Sequence, residues 1–310
     1  MKECIDKMEE AFAALGRGEV ESPLRTRIAM SDLRNILFMP SLIRGSLNTL
    51  SLKVVSVYPD IGPGKPSLSA LVAVIDGSDG AVRALIEGAT LTSIRTGAVS
   101  GLSCRYLARK GSETLGMIGA GGQAFQQVNA VHAEAGIGRV RIFSLEHDRS
   151  LALAERCRRE LGIEATVCED AEKAIEGTDV IVTATTSKVP VFDGRKVREG
   201  THVVSMGAYT PDAREMDSAF ASRASIFVDS KEAALEEAGD ILIPMKEGAI
   251  ASESIKGDLA GLVMGRVRGR VSNSEITWFK SVGLAFEDNI IGWLLYQKAL
   301  AKSVGSWIQL

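Results

Sequence analysis

The sequence predicts an α/β fold with two differently built parts, and three observations carry that reading. From Thr114 onward, short apolar runs alternate with helix-length amphipathic segments, the pattern of parallel strands joined by right-handed crossovers. Before Thr114 the apolar runs are closely spaced and separated by a hairpin turn, which suits a mixed strand-and-helix portion. The chain has 310 residues, 45% of them hydrophobic and 24% charged, enough for two globular domains. Thirty-one glycines against eight prolines point to tight turns and close backbone approaches rather than to disorder.

The chain opens with a helix. Ile5, Met8, Ala11, Phe12 and Leu15 fall at three- and four-residue spacing, and Gly16 and Gly18 stop it. Strand-like runs follow at 36–39, 50–58 and 71–75, and Asp76-Gly77-Ser78-Asp79-Gly80 turns the chain into a further run at 81–86. A helix unusually rich in small residues begins near residue 90. Strands are then predicted at 114–118, 139–143, 164–168, 180–183, 202–206 and 225–228, with helices at 124–135, 149–161 and 171–176. Residues 283–310 read as a long apolar helix in which Glu287 and Asp288 argue for a buried or interface position. The Gly-Arg-Val-Arg-Gly-Arg run at 265–270 reads as a solvated turn, and the apolar tail from Ser306 suits contact with a partner subunit.

Charge and composition exclude several classes. Lys and Arg number 36 and Asp and Glu 39, a net charge of −3, so no basic field is offered to nucleic acid or to an anionic membrane. Cys4, Cys104, Cys157 and Cys168 are scattered, which argues against a disulfide framework or zinc ribbon and for a cytoplasmic location. His132, His147 and His202 lack ligand spacing, so no metal site is expected. The charged first ten residues do not form a signal peptide, and no run reaches the ~18 apolar residues of a membrane helix.

One motif carries specific chemistry. Gly119-Ala120-Gly121-Gly122-Gln123-Ala124 is a G-x-G-x-x-A fingerprint placed directly after a predicted strand and before a predicted helix. The first glycine makes the turn, the second lets the backbone approach a pyrophosphate, and Ala124 lets the helix pack on the strand. The phosphates would then sit on the helix N-terminus. The ribose position, about 20 residues on, is occupied by Ser144. Glu146 could reach a 2′-hydroxyl and favour NAD, or Ser144 with Arg149 could receive a 2′-phosphate and favour NADP.

Hydride chemistry needs substrate-holding groups elsewhere, and carboxylates are commonly held by arginine. Three cations sit in apolar or small-residue surroundings: Arg25 after Pro23, Lys53 within Leu52-Lys53-Val54-Val55, and Arg95 within Ile94-Arg95-Thr96-Gly97. A charge inside a β-branched run is costly unless paired.

The segment 91–124, together with 52–59 and Phe279-Lys280-Ser281-Val282-Gly283-Leu284-Ala285 followed by Glu287-Asp288, resembles the ornithine cyclodeaminase/mu-crystallin family over residues 20–300. The resemblance implies a nicotinamide-dependent homodimer. A Rossmann domain (113–282) would be inserted into an α+β substrate-binding and dimerisation domain (1–112 plus 283–310). It implies that Arg25 binds the substrate carboxylate, that Lys53 contacts the substrate as proton donor or acceptor, and that Arg95 serves both substrate and nicotinamide. Ser67, Thr96, Thr185, Met206, Gly207, Ser281 and Val282 would join the fingerprint residues at the cofactor. True cyclodeaminases of the family carry an Asp where this chain has Tyr209, with Asp212 three residues on. The expected activity is therefore NAD(P)H-dependent oxidoreduction at the C–N bond of a small cyclic imino acid or α-amino acid. The reductases of Δ1-pyrroline-2-carboxylate and ketimines and the alanine dehydrogenases of the family are its models. Ornithine cyclodeamination and non-catalytic NADP-dependent ligand binding are the alternatives.

Overall fold

The computed structural model describes every residue except 32–33, 59–61, 63–67 and 309–310. Ser67 lies outside the described residues. The chain divides into two compact units, one of residues 6–95 and 284–310, the other of residues 1–5 and 96–283.

The first unit is built on an antiparallel sheet of β1 (Val20–Glu21), β2 (Thr26–Ala29), β3 (Asn35–Ile43), β4 (Thr49–Val57), β5 (Leu68–Asp76) and β6 (Val82–Glu87). Its order is β1-β3-β4-β5-β6, with β2 on β3. Side chains alternate between its faces. Leu37, Met39 and Val55 are buried on one face and pack with Ala285 of the helix Ala285–Lys302. Ile28, Leu52, Leu71 and Leu85 are exposed, and the strand register places them all on the other face.

Asn289 fastens the helix to this sheet. Its Nδ2 donates to the Ser41 carbonyl and Oγ (both 3.1 Å) and to the Thr49 carbonyl (2.9 Å), while its Oδ1 accepts from Thr49 Oγ1 (2.8 Å). Gly292 permits the close approach, because a Cβ there would lie 3.0 Å from Val74 Cγ2. Phe12 and Phe286 meet edge to face at 5.0 Å. The helix ends at Lys302, where Ser303 turns left-handed (φ 52°), rather than running from 283 to 310.

The second unit holds eight parallel strands in the order β13-β12-β14-β11-β10-β7-β8-β9. These are β7 (Thr114–Ile118), β8 (Arg139–Phe143), β9 (Glu164–Val167), β10 (Val180–Thr183), β11 (His202–Ser205), β12 (Ser225–Val228), β13 (Ile255–Asp258) and β14 (Thr277–Lys280). The central run, β9-β8-β7-β10-β11, is Rossmann order, and its direction of winding reverses between β7 and β10. Two short strands, β13 and β14, and the helices Lys231–Glu237, Gly239–Lys246 and Leu259–Val263 lie where the sequence showed no periodicity. β14 inserts between β11 and β12 and is buried on both faces, so it shows no alternation.

The division between units falls inside the helix Gly88–Leu107, before the 112/113 boundary that the family resemblance implies. Small residues account for the difference. A Cβ at Gly97 would lie 2.5 Å from the Gln126 carbonyl oxygen, so the helix's later turns pack tightly on the helix Ala124–Ala135. In the 265–270 run, Arg266 and Arg268 are exposed as expected of a solvated turn, and Arg270 is the exception. Arg270 is half-buried and donates to the Leu107 carbonyl (2.7 Å) and Thr277 Oγ1 (2.8 Å). His202 lies wholly buried between Ser103 Oγ (3.1 Å) and Thr277 Oγ1 (3.0 Å), and burial lowers its pKa to about 3, so it packs as a neutral side chain.

Candidate active site

The fingerprint sits at the winding reversal. Gly119 has φ 100°, its N–H donates to the Phe143 carbonyl (2.8 Å), and a Cβ would lie 2.6 Å from the Ala184 carbonyl oxygen. Only glycine meets that combination. Gly121 and Gly122 are different, since an added Cβ would meet no atom of the described residues within 4 Å beyond its own chain neighbours. Packing among the described residues does not require glycine at either position. Gln123 caps the helix Ala124–Ala135 without a side-chain bond, leaving its N-terminus open to an anion. The Gln123 Oε1 and Thr183 Oγ1 atoms are buried with no hydrogen-bond partner among the described residues. This set fits a dinucleotide. Thr96 is buried one residue before Gly97 and so lies beside the first turns of that helix.

At the ribose end, Ser144 Oγ donates to the Glu146 carbonyl (2.8 Å) and accepts from Ser150 Oγ (3.0 Å). Glu146 holds Arg149 in an exposed ion pair (2.8 Å).

The loops after β10 and β11 are tied together by Glu215, which the sequence did not reveal. Its Oε1 accepts from Thr185 N (2.7 Å) and Thr185 Oγ1 (2.8 Å), and its Oε2 accepts from Gly207 N (2.7 Å). Met206 N donates to the Thr183 carbonyl (3.1 Å), completing the link. Behind Glu215 lies a buried ion pair, Lys280 Nζ to Asp240 Oδ2 (2.8 Å), with Lys280 also donating to the Ala208 carbonyl (2.5 Å). Asp240 Oδ1 accepts from Glu215 N (2.6 Å) and Met216 N (2.9 Å). Burial, and next the charge of Asp240, push the Glu215 carboxyl above its usual range, while Lys280 acts against them. Asp229 Oδ2 in turn accepts from Ser281 Oγ (2.8 Å), Val282 N (2.7 Å) and Gly283 N (2.8 Å), fixing the turn that follows β14. A lysine ending the apolar run Thr277-Trp278-Phe279-Lys280 carries the same signal that singles out Lys53, and it would have found this network.

The first unit holds the candidate substrate groups. Lys53 faces the buried side of β4 and is 2% exposed. Its Nζ donates to Thr92 Oγ1 (2.6 Å) and Asp288 Oδ1 (2.9 Å). Arg95 is also buried, with NH1 on Glu287 Oε2 (2.5 Å) and Nε 3.5 Å from Asp288 Oδ1. Two basic and two acidic side chains thus meet in one buried cluster. Glu287 and Asp288 occupy the first turn of their helix, where its dipole favours them. Burial lowers the Lys53 pKa to about 8; Asp288 opposes that shift, Arg95 adds to it, and Glu287 opposes it more weakly. Arg25 immediately precedes β2 and is partly exposed. The β2–β3 pairing begins one residue later, at Thr26 opposite Phe38.

Tyr209 is 40% exposed. Asp212 is committed to an exposed ion pair with Lys188 (3.0 Å) and accepts from Thr210 Oγ1 (2.8 Å).

Known proteins resemble this chain along nearly its whole length. The model of the ornithine cyclodeaminase/mu-crystallin family matches residues 1–303. A Δ1-pyrroline-2-carboxylate reductase of Bacillus cereus (strain ZK / E33L) is 39% identical over 307 residues, covering 96% of this chain and 94% of that protein. The structure of Thermococcus litoralis Δ1-pyrroline-2-carboxylate reductase in complex with NADH and L-proline superposes with a TM-score of 0.96 at 44% identity, covering 99% of this chain and 96% of that one. An archaeal alanine dehydrogenase dimer with bound NAD gives a TM-score of 0.92 at 33% identity, covering 100% and 95%. With that match and these relatives along nearly its whole length, the chain belongs to the ornithine cyclodeaminase/mu-crystallin family.

Proposed function

We propose that the protein is an NAD(P)H-dependent reductase of Δ1-pyrroline-2-carboxylate, yielding proline. The observation that carries this reading is the buried cluster in which Lys53 is held by Thr92 and Asp288 beside Arg95. Identity to reductases of this imine supports it. The bound dinucleotide supplies the hydride. The fingerprint glycines and the helix N-terminus at Ala124 would hold its pyrophosphate, with Thr185, Gly207 and Ser281-Val282 along its length.

The remaining chemistry belongs to the chain's own side chains. Arg25 and Arg95 hold the substrate carboxylate; a guanidinium has five N–H donors, enough to keep Glu287 and still face a carboxylate. Lys53 donates a proton to the imine nitrogen as the adjacent carbon receives hydride. The C=N bond becomes CH–NH, and the neutral amine of Lys53 regains its proton from solvent. A pKa of about 8 leaves Lys53 protonated near neutrality yet able to release a proton. No carboxylate stands at Tyr209 to manage a second, cationic amine, which disfavours ornithine as substrate.

The test is NADH oxidation on Δ1-pyrroline-2-carboxylate, with Δ1-piperideine-2-carboxylate and with pyruvate plus ammonia as competitors. Lys53→Ala should abolish turnover and leave the NADH dissociation constant nearly unchanged. Turnover at the wild-type rate in that variant would refute the assignment. We further propose a cytoplasmic homodimer, joined through the sheet face bearing Leu52, Leu71 and Leu85. Four free cysteines suit a reducing compartment, and no helix among the described residues is long and apolar enough to cross a membrane. Leu71→Lys should give a monomer in sedimentation; an unchanged assembly would exclude that face.

A further inference from the structure

We propose that Asp288, together with Thr92, is the positioning residue of this reaction: the two fix two of the three N–H bonds of the Lys53 ammonium and so aim the third at the substrate. The inference rests on the reductase reading for its consequence, and on hydrogen-bond geometry for its substance.

An ammonium has three donors arranged tetrahedrally with the carbon stem. Lys53 has two acceptors among the described residues, Thr92 Oγ1 at 2.6 Å and Asp288 Oδ1 at 2.9 Å. The direction of donation is set at both. Thr92 Oγ1 spends its own proton on the Gly88 carbonyl (2.5 Å), so toward Lys53 it acts as acceptor. Asp288, as a carboxylate, can only accept. A neutral Lys53 would have one proton fewer than this arrangement and the substrate nitrogen together require. The pair therefore holds the lysine charged and leaves one N–H to turn elsewhere.

Asp288 is itself held in place. The next residue, Asn289, makes four hydrogen bonds to Ser41 and Thr49, which lock the first turn of the helix against β3 and β4. Arg95 Nε lies 3.5 Å from the oxygen that Lys53 uses. The other oxygen, Asp288 Oδ2, is buried without a hydrogen-bond partner among the described residues. A merely structural carboxylate at this depth would be expected to fill both oxygens. The charged groups facing Lys53 are Asp288 and Glu287 from one helix and Arg95 from another. Its neighbours across the sheet, Met39 and Val72, are apolar.

The direct test is titration of Lys53 by NMR of ε-labelled lysine, in the wild type and in Asp288→Asn. Asparagine keeps the shape and an acceptor but not the charge, so the Lys53 midpoint should fall by about one unit or more. An unmoved midpoint overturns the proposal. This reading needs no turnover, so a wild type that titrates as expected yet reduces no imino acid would refute the proposed reaction and not the arrangement. On the substrate the wild type reduces, Asp288→Asn should lower kcat about tenfold or more, leave the KM for NADH within about twofold, and move the alkaline limb of the pH profile with the Lys53 midpoint. Thr92→Val should lose about tenfold in kcat with less movement of the midpoint, and Thr92→Ser, which keeps the hydroxyl, should recover most of that loss. Full kcat in Thr92→Val overturns the aiming role, and that result stands even if Asp288→Asn fails to fold.

Discussion

Replacing Lys280 by methionine should cost the Rossmann unit about 3–5 kcal/mol, the usual penalty when one partner of a buried ion pair is removed and the other remains. Lys280 and Asp240 are both wholly buried and 2.8 Å apart. Without Lys280, Asp240 and Glu215 would share a water-excluded site with no cation. Two backbone N–H bonds to Asp240 soften the loss, while the orphaned Ala208 carbonyl adds roughly 1 kcal/mol. The pH dependence has a defined sign. The folded-state value of Glu215 lies above its ordinary 4.5, so its contribution to stability is fully present below that value and is lost as pH rises through the folded-state value. Removing Lys280 takes away the charge that opposes the rise of the Glu215 carboxyl and so extends that window upward. Urea unfolding followed through Trp278, buried in the same sheet, measures the effect. The variant should lie furthest below wild type near neutrality and recover toward pH 5, and adding Asp240→Asn should restore part of the loss. A deficit under about 1 kcal/mol, or one that does not shrink in acid, would refute the electrostatic account. NADH affinity should weaken in parallel, because the Thr185 and Gly207 loops hang on Glu215.

Imine reduction should be level below about pH 8 and fall above it as Lys53 loses its proton, whereas amino-acid oxidation should rise over the same range; stopped-flow pH profiles in the two directions check the pair. Gly119→Ala should reduce both thermal stability and NADH binding, because its φ of 100° and the 2.6 Å approach to the Ala184 carbonyl exclude a side chain. Gly122→Ala should melt like wild type and yet bind NADH at least about tenfold more weakly, read by calorimetry. If both glycine variants behave alike, the distinction between packing and ligand approach is mistaken. Ser144→Asp should favour NADH over NADPH by repelling a 2′-phosphate, and an unchanged preference would mean that Ser144 does not face the ribose.

Much of the Rossmann unit was legible because its strands and helices alternate at readable periods: the predicted strands 114–118, 139–143, 180–183 and 225–228 have the observed bounds. β13 and β14 were not legible. Each has four residues, and β14 is buried on both faces, so period-two alternation never appears. The site followed the same logic. Lys53 was visible as a cation inside an apolar strand, whereas Asp288, more than 230 residues away, was visible only as a polar interruption of a helix. Glu215, Asp229 and Asp240 sit in loops and at helix starts, where acids are common, and only the folded chain sets them beside their partners.

Asn289 binds residues 41 and 49 across 248 and 240 positions of sequence. A ribosome adding ~5–20 residues per second needs roughly 10–40 s to make the stretch from 96 to 283. During that interval the antiparallel sheet exists without the helix that completes its buried face, and the intervening Rossmann unit, whose contacts are all in hand by Gly283, can fold first. Newly made chains should therefore expose Leu37, Met39 and Val55 while still attached to the ribosome, and chaperone demand should concentrate on the earliest-made unit. Truncation before Leu284 would make that exposure permanent.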